Sequence, residues 1–170
     1  MAALAHLGAG LAAKRIAPEI NVGYLILGAY ALDFIWGGFV AAGVEHALKP
    51  DAVVAPAYWD HGLFMATVWS LLAGLIAAWI GRNKRTGTVF GLVVFSHWVL
   101  DFITHPMTAV FPRDTGLPLF FSDSPLIGLG MYRTRLGVNL GDFGAVALGI
   151  AIYIMARRRM KLLKAAAALP

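Results

Sequence analysis

Four stretches of this chain, Asn21 to Val44, His61 to Ile80, Thr88 to His105 and Val138 to Ala156, stay apolar long enough to cross a bilayer. A helical span needs about 20 residues. In hydrocarbon the backbone must also satisfy its own hydrogen bonds, so only helices or closed barrels span. Runs of this length and apolarity select the helical solution. The expected fold class is therefore all-α integral membrane, one domain over residues 1–170, with four transmembrane helices. Composition agrees: 59% of residues are hydrophobic and 14% charged, against about 25% charged in an ordinary soluble domain. Met1 to Ala13 is apolar but too short to span. Its basic residues, Lys14 and Arg15, follow the apolar run, whereas a signal peptide carries them in front. A short N-terminal helix is expected there, dipping into the bundle or lying at the interface.

The net charge of +5 and pI near 9.8 raise nucleic acid as a partner, but the placement of the charge points elsewhere. Ten of the fourteen basic residues fall in three clusters beside apolar spans: Lys14 and Arg15; Arg82, Lys84 and Arg85; and Arg157, Arg158, Arg159, Lys161 and Lys164. Basic residues collect on the cytoplasmic side. With both termini cytoplasmic, all three clusters lie inside, and only Lys49, Arg113, Arg133 and Arg135 lie outside. The partner so implied is the lipid bilayer, not nucleic acid. Tyr58 and Trp59 are expected at the outer interface and Trp79 at the inner one. The last basic cluster is compatible with a bound anionic lipid. Two outer loops follow from this topology, Glu45 to Asp60 with Pro50 and Pro56, and a long one, Pro106 to Gly137, between the last two spans. Its apolar piece, Leu117 to Phe121, is expected to fold back over the bundle or the membrane.

Within the third span, His97, Asp101 and His105 recur every fourth residue, which puts them on one helix face. At 1.5 Å per residue they lie roughly 14, 20 and 26 Å above the cytoplasmic end of the span, and Asp33 lies roughly 18 Å above the start of the first. His61 opens the second span and Asp142 stands near the outer start of the fourth. Six ionisable residues from four spans thus gather in or near the outer half. An aspartate at a helix centre costs about 2.5 to 3.5 kcal/mol in a membrane, so these groups must be paired, hydrated or bound to a cation. A divalent metal would neutralise the carboxylates and use the histidines as neutral ligands. There is no cysteine, so nitrogen and oxygen are the available donors. His46 is expected to be solvated, and Asp60, next to His61, reads as a ligand or, by preference, an outer-surface charge. Whether His6 joins the polar set is open, and Arg133 and Arg135 read as loop charges.

These residues resemble a family. Tyr58-Trp59-Asp60-His61-Gly62-Leu63-Phe64-Met65 is similar to the pattern aromatic-aromatic-Ser-His-Ser-Leu-Leu of the bacterial membrane-bound metal-dependent hydrolases. Ser96-His97-Trp98-Val99-Leu100-Asp101 resembles its Ser-His-x-x-x-Asp signature, and Gly128-Leu129-Gly130-Met131-Tyr132 its Gly-Leu-Gly-Leu-Trp. Asp33, three residues before Trp36, resembles its intramembrane aspartate. The chain departs at Asp60 and Gly62, where serines are usual, at Arg133, where Asn is expected, and at Asp142, where Glu is expected.

The resemblance implies a bacterial inner-membrane protein and a hydrolase acting on a lipid or lipid-linked ester near the outer leaflet. Its cofactor would be a divalent metal, zinc by preference. His61, His97, Asp101 and Asp33 would be the ligands, and His105 and Asp142 further ligands or a base and its orienting acid. Two other readings stay open on the residues alone: a small transporter or proton pathway, and a non-catalytic membrane protein whose polar core fixes helix packing. A homo-oligomer is compatible with the sequence, which carries no specific signal for one.

Overall fold

The protein is described here from a computed structural model covering residues 3–46, 57–121 and 123–167. Lys49, Pro50 and Pro56 of the expected first outer loop lie outside the described residues. The chain is almost wholly helical: α1 (Ala3–Ala12), α2 (Val22–Ala29), α3 (Ala31–Ala41), α4 (Leu63–Gly81), α5 (Lys84–Thr104) and α6 (Arg135–Ala166). Three helices, α4, α5 and α6, are long and apolar enough to cross a membrane, or four spans result if α2 and α3 count as one broken span.

The expected spans shift in detail. Asn21 to Val44 is not one helix: α2 and α3 meet at a 53° bend, at Tyr30, whose ψ of 5° leaves the helical region. Asn21 caps α2 by accepting from the Gly23 N–H. The second span starts two residues later than expected, because Gly62 is extended, so His61 stands in the preceding turn. The third starts four residues earlier, at Lys84, where the Asn83 side chain accepts from the Arg85 N–H. His105 is not its last helical residue but its extended C-cap. The fourth is far longer than Val138 to Ala156: α6 has 32 residues, capped by Thr134 on the Gly137 N–H. It continues past its apolar part through the basic cluster, where arginine and lysine favour helix as well as leucine does.

Two close helix pairs organise the bundle. α4 and α5 form a hairpin closed by Arg82 and Asn83, and glycines set its spacing. A Cβ on Gly87 would lie 2.5 Å from the Gly74 carbonyl oxygen. α1 crosses α6 at Gly8 and Gly149, where a Cβ on either would come within 2.3 Å of backbone oxygen on the other helix. α1 therefore enters the bundle. Between the pairs, Leu32, Ala66, Val94, Trp98 and Leu117 form one buried apolar cluster. A second, around Leu25, Ala29 and Val93, fills the opposite end.

The segment between α5 and α6 folds back over the bundle, as expected. Leu117–Pro118 (β1) pairs antiparallel with Leu126–Ile127 (β2), Leu117 is buried, and the Leu119 carbonyl accepts from the Phe64 N–H. Asp114 fixes its first half by accepting from the Met107 and Gly116 N–H groups. Outward-facing surfaces are apolar. Leu71, Leu75, Ile76, Trp79 and Ile80 of α4 and Leu136, Leu140, Phe143 and Leu148 of α6 are all exposed. Several carboxylates and histidines, by contrast, are buried inside: Asp33, Asp60, His61, His97 and Asp101 among them.

Candidate metal centre

The buried charge is concentrated in one place. His6 of α1, Asp33 of α3, His61 before α4, and His97 and Asp101 of α5 converge, and none is more than 9% exposed. His97 and Asp101 meet because they are one helical turn apart, with Nε2 3.5 Å from Oδ2. His61 Nε2 lies 3.5 Å from both Asp33 Oδ1 and Asp101 Oδ2. Asp33 Oδ1 is also 3.8 Å from His97 Nε2. His6 stacks on His97, with centroids 3.7 Å apart, and its Nε2 is 3.3 Å from Asp101 Oδ1.

The local structure decides which nitrogens point inward. The bend at Tyr30 leaves the Ala29 carbonyl at a helix end, where it accepts from His97 Nδ1 at 2.7 Å. A carbonyl only accepts, so Nδ1 of His97 carries the hydrogen. His61 Nδ1 is bonded to the Asp60 carboxylate, which likewise places its hydrogen on Nδ1. In their neutral forms both rings then present an Nε2 lone pair, and the two Nε2 atoms are 3.2 Å apart. Two lone pairs do not bond each other; the pair needs a proton or a cation between or beside it. The surrounding atoms need one too. Both oxygens of Asp33, Oδ1 of Asp101 and both nitrogens of His6 are buried and make no well-directed hydrogen bond; their contacts include the ion pairs of 3.3 to 3.8 Å within the cluster. Buried polar atoms are nearly always satisfied, and these groups are placed so that they could hold an ion.

Two groups in this cluster could hold a metal ion: His6, Asp33 and His97, and His61, His97 and Asp101. They share His97. Its Nδ1 is committed to Ala29, so one lone pair serves both groups, and the arrangement suits a single ion.

The six residues singled out in the sequence separate here. His61, His97, Asp101 and Asp33 come together. His105 and Asp142 take other partners. His105 Nδ1 is 2.8 Å from Asp114 Oδ2. Burial pushes the Asp114 carboxyl up, but His105 and the two N–H groups outweigh it and hold it below the usual carboxylate range. Asp142 Oδ1 accepts from the Tyr132 hydroxyl at 2.8 Å and from the Ala5 N–H at 3.2 Å. It thereby pins the start of α1, next to His6.

Asp60 departs from expectation. It is fully buried and orients His61, where an outer-surface charge was expected. The signal was its adjacency to His61: a carboxylate beside a ligating histidine fixes the tautomer. His6 also belongs to the cluster, and its signal was the pair of flanking small residues, Ala5 and Gly8, that lets α1 come close. His46 is exposed, as expected. Family models, curated proteins and solved structures were each compared with this chain, and none matches it.

Proposed function

We propose that this chain is a multi-pass membrane protein and a metal-dependent hydrolase, with one divalent ion, zinc by its donor set, held by His61, His97, Asp101 and Asp33. The observation that carries the metal is the Nε2 pair of His61 and His97, 3.2 Å apart with both hydrogens on Nδ1. Borderline imidazole and carboxylate donors without thiolate suit zinc. A bound divalent ion supplies Lewis acidity, polarising an ester oxygen and lowering the pKa of water.

The chain's own residues do the rest. Asp60 and the Ala29 carbonyl hold the two rings in the ligating tautomer. Asp142 and Tyr132 hold α1 so that His6 closes one side of the cluster. The membrane reading is supported by the apolar outer faces of α4 and α6. The resemblance to the bacterial family supports an inner membrane, and the three basic clusters support cytoplasmic termini. Lys14, Arg15, Arg85 and Arg159 support that orientation, since they meet at one cleft although they come from three separate clusters. The cluster then lies nearer the outer leaflet, and a lipid or lipid-linked phosphoester or carboxylic ester is the substrate class within reach. The hydrolytic step extends the resemblance of Ser96–Asp101 and Tyr58–Met65 to the membrane-bound metal-dependent hydrolases.

A transporter or proton pathway is less well supported. His6 adds to the cluster sideways, by stacking on His97, and does not extend it toward the basic end.

The test is hydrolysis. Protein in detergent is supplied with phosphoester and carboxylic-ester lipids, with zinc and with chelator. Product that depends on zinc and is lost in Asp101→Asn is the expected result. Metal binding with no turnover of either ester class would overturn the hydrolase reading and leave a structural metal.

A further inference from the structure

A second site lies at the other end of the bundle. A cleft of about 240 Å³ is lined by Lys14, Arg15, Arg85 and Arg159, with Met160 and Leu163 on its apolar side. The cations come from three separate parts of the sequence: the turn after α1, the start of α5 and the tail of α6. Folding has brought together four positive charges that repel each other. Among the described residues, every ion pair involves a histidine and none a lysine or arginine. No anionic side chain among the described residues therefore compensates the cleft at contact distance.

Two of the cations are built in. Lys14 is only 8% exposed, and its ammonium donates to the Pro18 carbonyl at 2.8 Å and to that of Ile20. An ammonium has three donors, so one remains for a ligand. Arg85 donates one N–H to the Ile16 carbonyl at 3.1 Å, which leaves most of its guanidinium free. The 16–20 segment thus aims both groups. Burial holds the Lys14 ammonium below the usual lysine range, and Arg157 pushes the same way, against a weaker pull from Glu19. An anion in the cleft would relieve that strain.

The shape of the ligand follows from the lining. Arginines and a lysine around a small cavity suit the oxygens of a phosphate. Met160 and Leu163 beside them suit a hydrocarbon chain. We propose that this cleft binds the phosphate headgroup of an anionic membrane lipid, with the start of its acyl chain along α6. The proposal rests on the membrane reading but not on hydrolysis. His97 lies twelve residues from Arg85 on α5, roughly 18 Å along the helix, so this lipid is not the substrate of the metal centre. It is a resident lipid that ties α1, α5 and α6 together.

The experiment is thermal unfolding of the protein in a zwitterionic detergent. It is titrated in separate arms with dioleoylphosphatidylglycerol, dioleoylphosphatidylcholine and inorganic phosphate. The expected result is a saturable rise in Tm with phosphatidylglycerol alone. Arg15→Gln with Arg159→Gln removes two charges that make no hydrogen bond to the fold. It should weaken the apparent affinity about thirtyfold, at about fivefold per charge. Should the double variant not fold, Arg159→Gln alone should weaken it severalfold. Arg113→Gln, at the other end, should match the parent. Equal response to both lipids, equal response to inorganic phosphate, or unchanged affinity in the Arg159 variants would each overturn the proposal. A chain that stays monomeric and folded without detergent would instead defeat the membrane reading beneath it.

Discussion

Replacing Gly8 with alanine should loosen the metal centre without touching any of its side chains. A Cβ at this position would lie 2.3 Å from the Ala145 carbonyl oxygen and 2.6 Å from its carbon. Ordinary non-bonded contact needs about 3.5 Å, so α1 must retreat from α6 by roughly 1 Å. His6 is two residues away on the same short helix and moves with it. It stacks on His97, with centroids 3.7 Å apart, so its shift disturbs the ring of a ligand whose metal–nitrogen bond, about 2.0 to 2.1 Å, tolerates only about 0.2 Å of displacement. Overpacking of this kind costs about 1 to 3 kcal/mol, and disturbed support of a metal site costs about ten- to a hundredfold in affinity. Zinc titration by calorimetry in detergent, with thermal unfolding alongside, measures both. Gly144→Ala is the control, since its Cβ would meet nothing within 4 Å and alanine favours helix by up to about 1 kcal/mol. If Gly8→Ala and Gly144→Ala bind zinc alike and unfold alike, α1 does not position His6 and the reasoning fails.

Three further outcomes follow from single contacts. Asp60→Leu leaves His61 Nδ1 without its acceptor and should lower zinc affinity about ten- to a hundredfold, while Asp60→Asn, which can still accept, should lose less; equal affinities in calorimetry would contradict the tautomer assignment. Asp114 is held below the usual carboxylate range when folded, so its contribution is present above the unfolded value of 3.8 and is lost as pH falls through the lower folded value. Asp114→Asn should therefore be less stable than the parent near neutrality and lose less on acidification, and parallel Tm-against-pH curves would refute this. Tyr132→Phe removes a 2.8 Å bond to Asp142 and should cost about 1 kcal/mol in thermal unfolding, with an unchanged Tm as the contrary result.

The helical class and the meeting of His61, His97, Asp101 and Asp33 were legible because each rests on a periodic or composition signal. Apolar length marks spans, and a four-residue spacing puts His97 and Asp101 on one face whatever surrounds them. What was not legible depended on tertiary geometry. The bend at Tyr30 has no proline or glycine at it; its counterpart is the His97 ring, which takes the carbonyl that the bend exposes. His105 continues the four-residue stripe, yet the helix ends at Thr104, and the extended backbone turns its ring to Asp114. Asp60 read as surface because charged residues at span ends usually are. The apolar 117–121 piece announced that this loop folds back, and it does pack on Trp59 and Phe64, but no local pattern announces that Asp60 is buried. The basic clusters could be read only as three groups beside apolar spans; that Lys14, Arg85 and Arg159 share one cleft needed the α1–α6 crossing at Gly8 and Gly149.

The central claim is that the His61–His97 pair exists to hold an ion. Protein purified in detergent, loaded with zinc and freed of excess by gel filtration, can be assayed for metal per chain by elemental analysis beside His97→Ala and Asp101→Ala. One equivalent in the parent, with most of it lost in both folded variants, is the predicted result. A parent that stays metal-free after loading, or variants that keep a full equivalent, would contradict it.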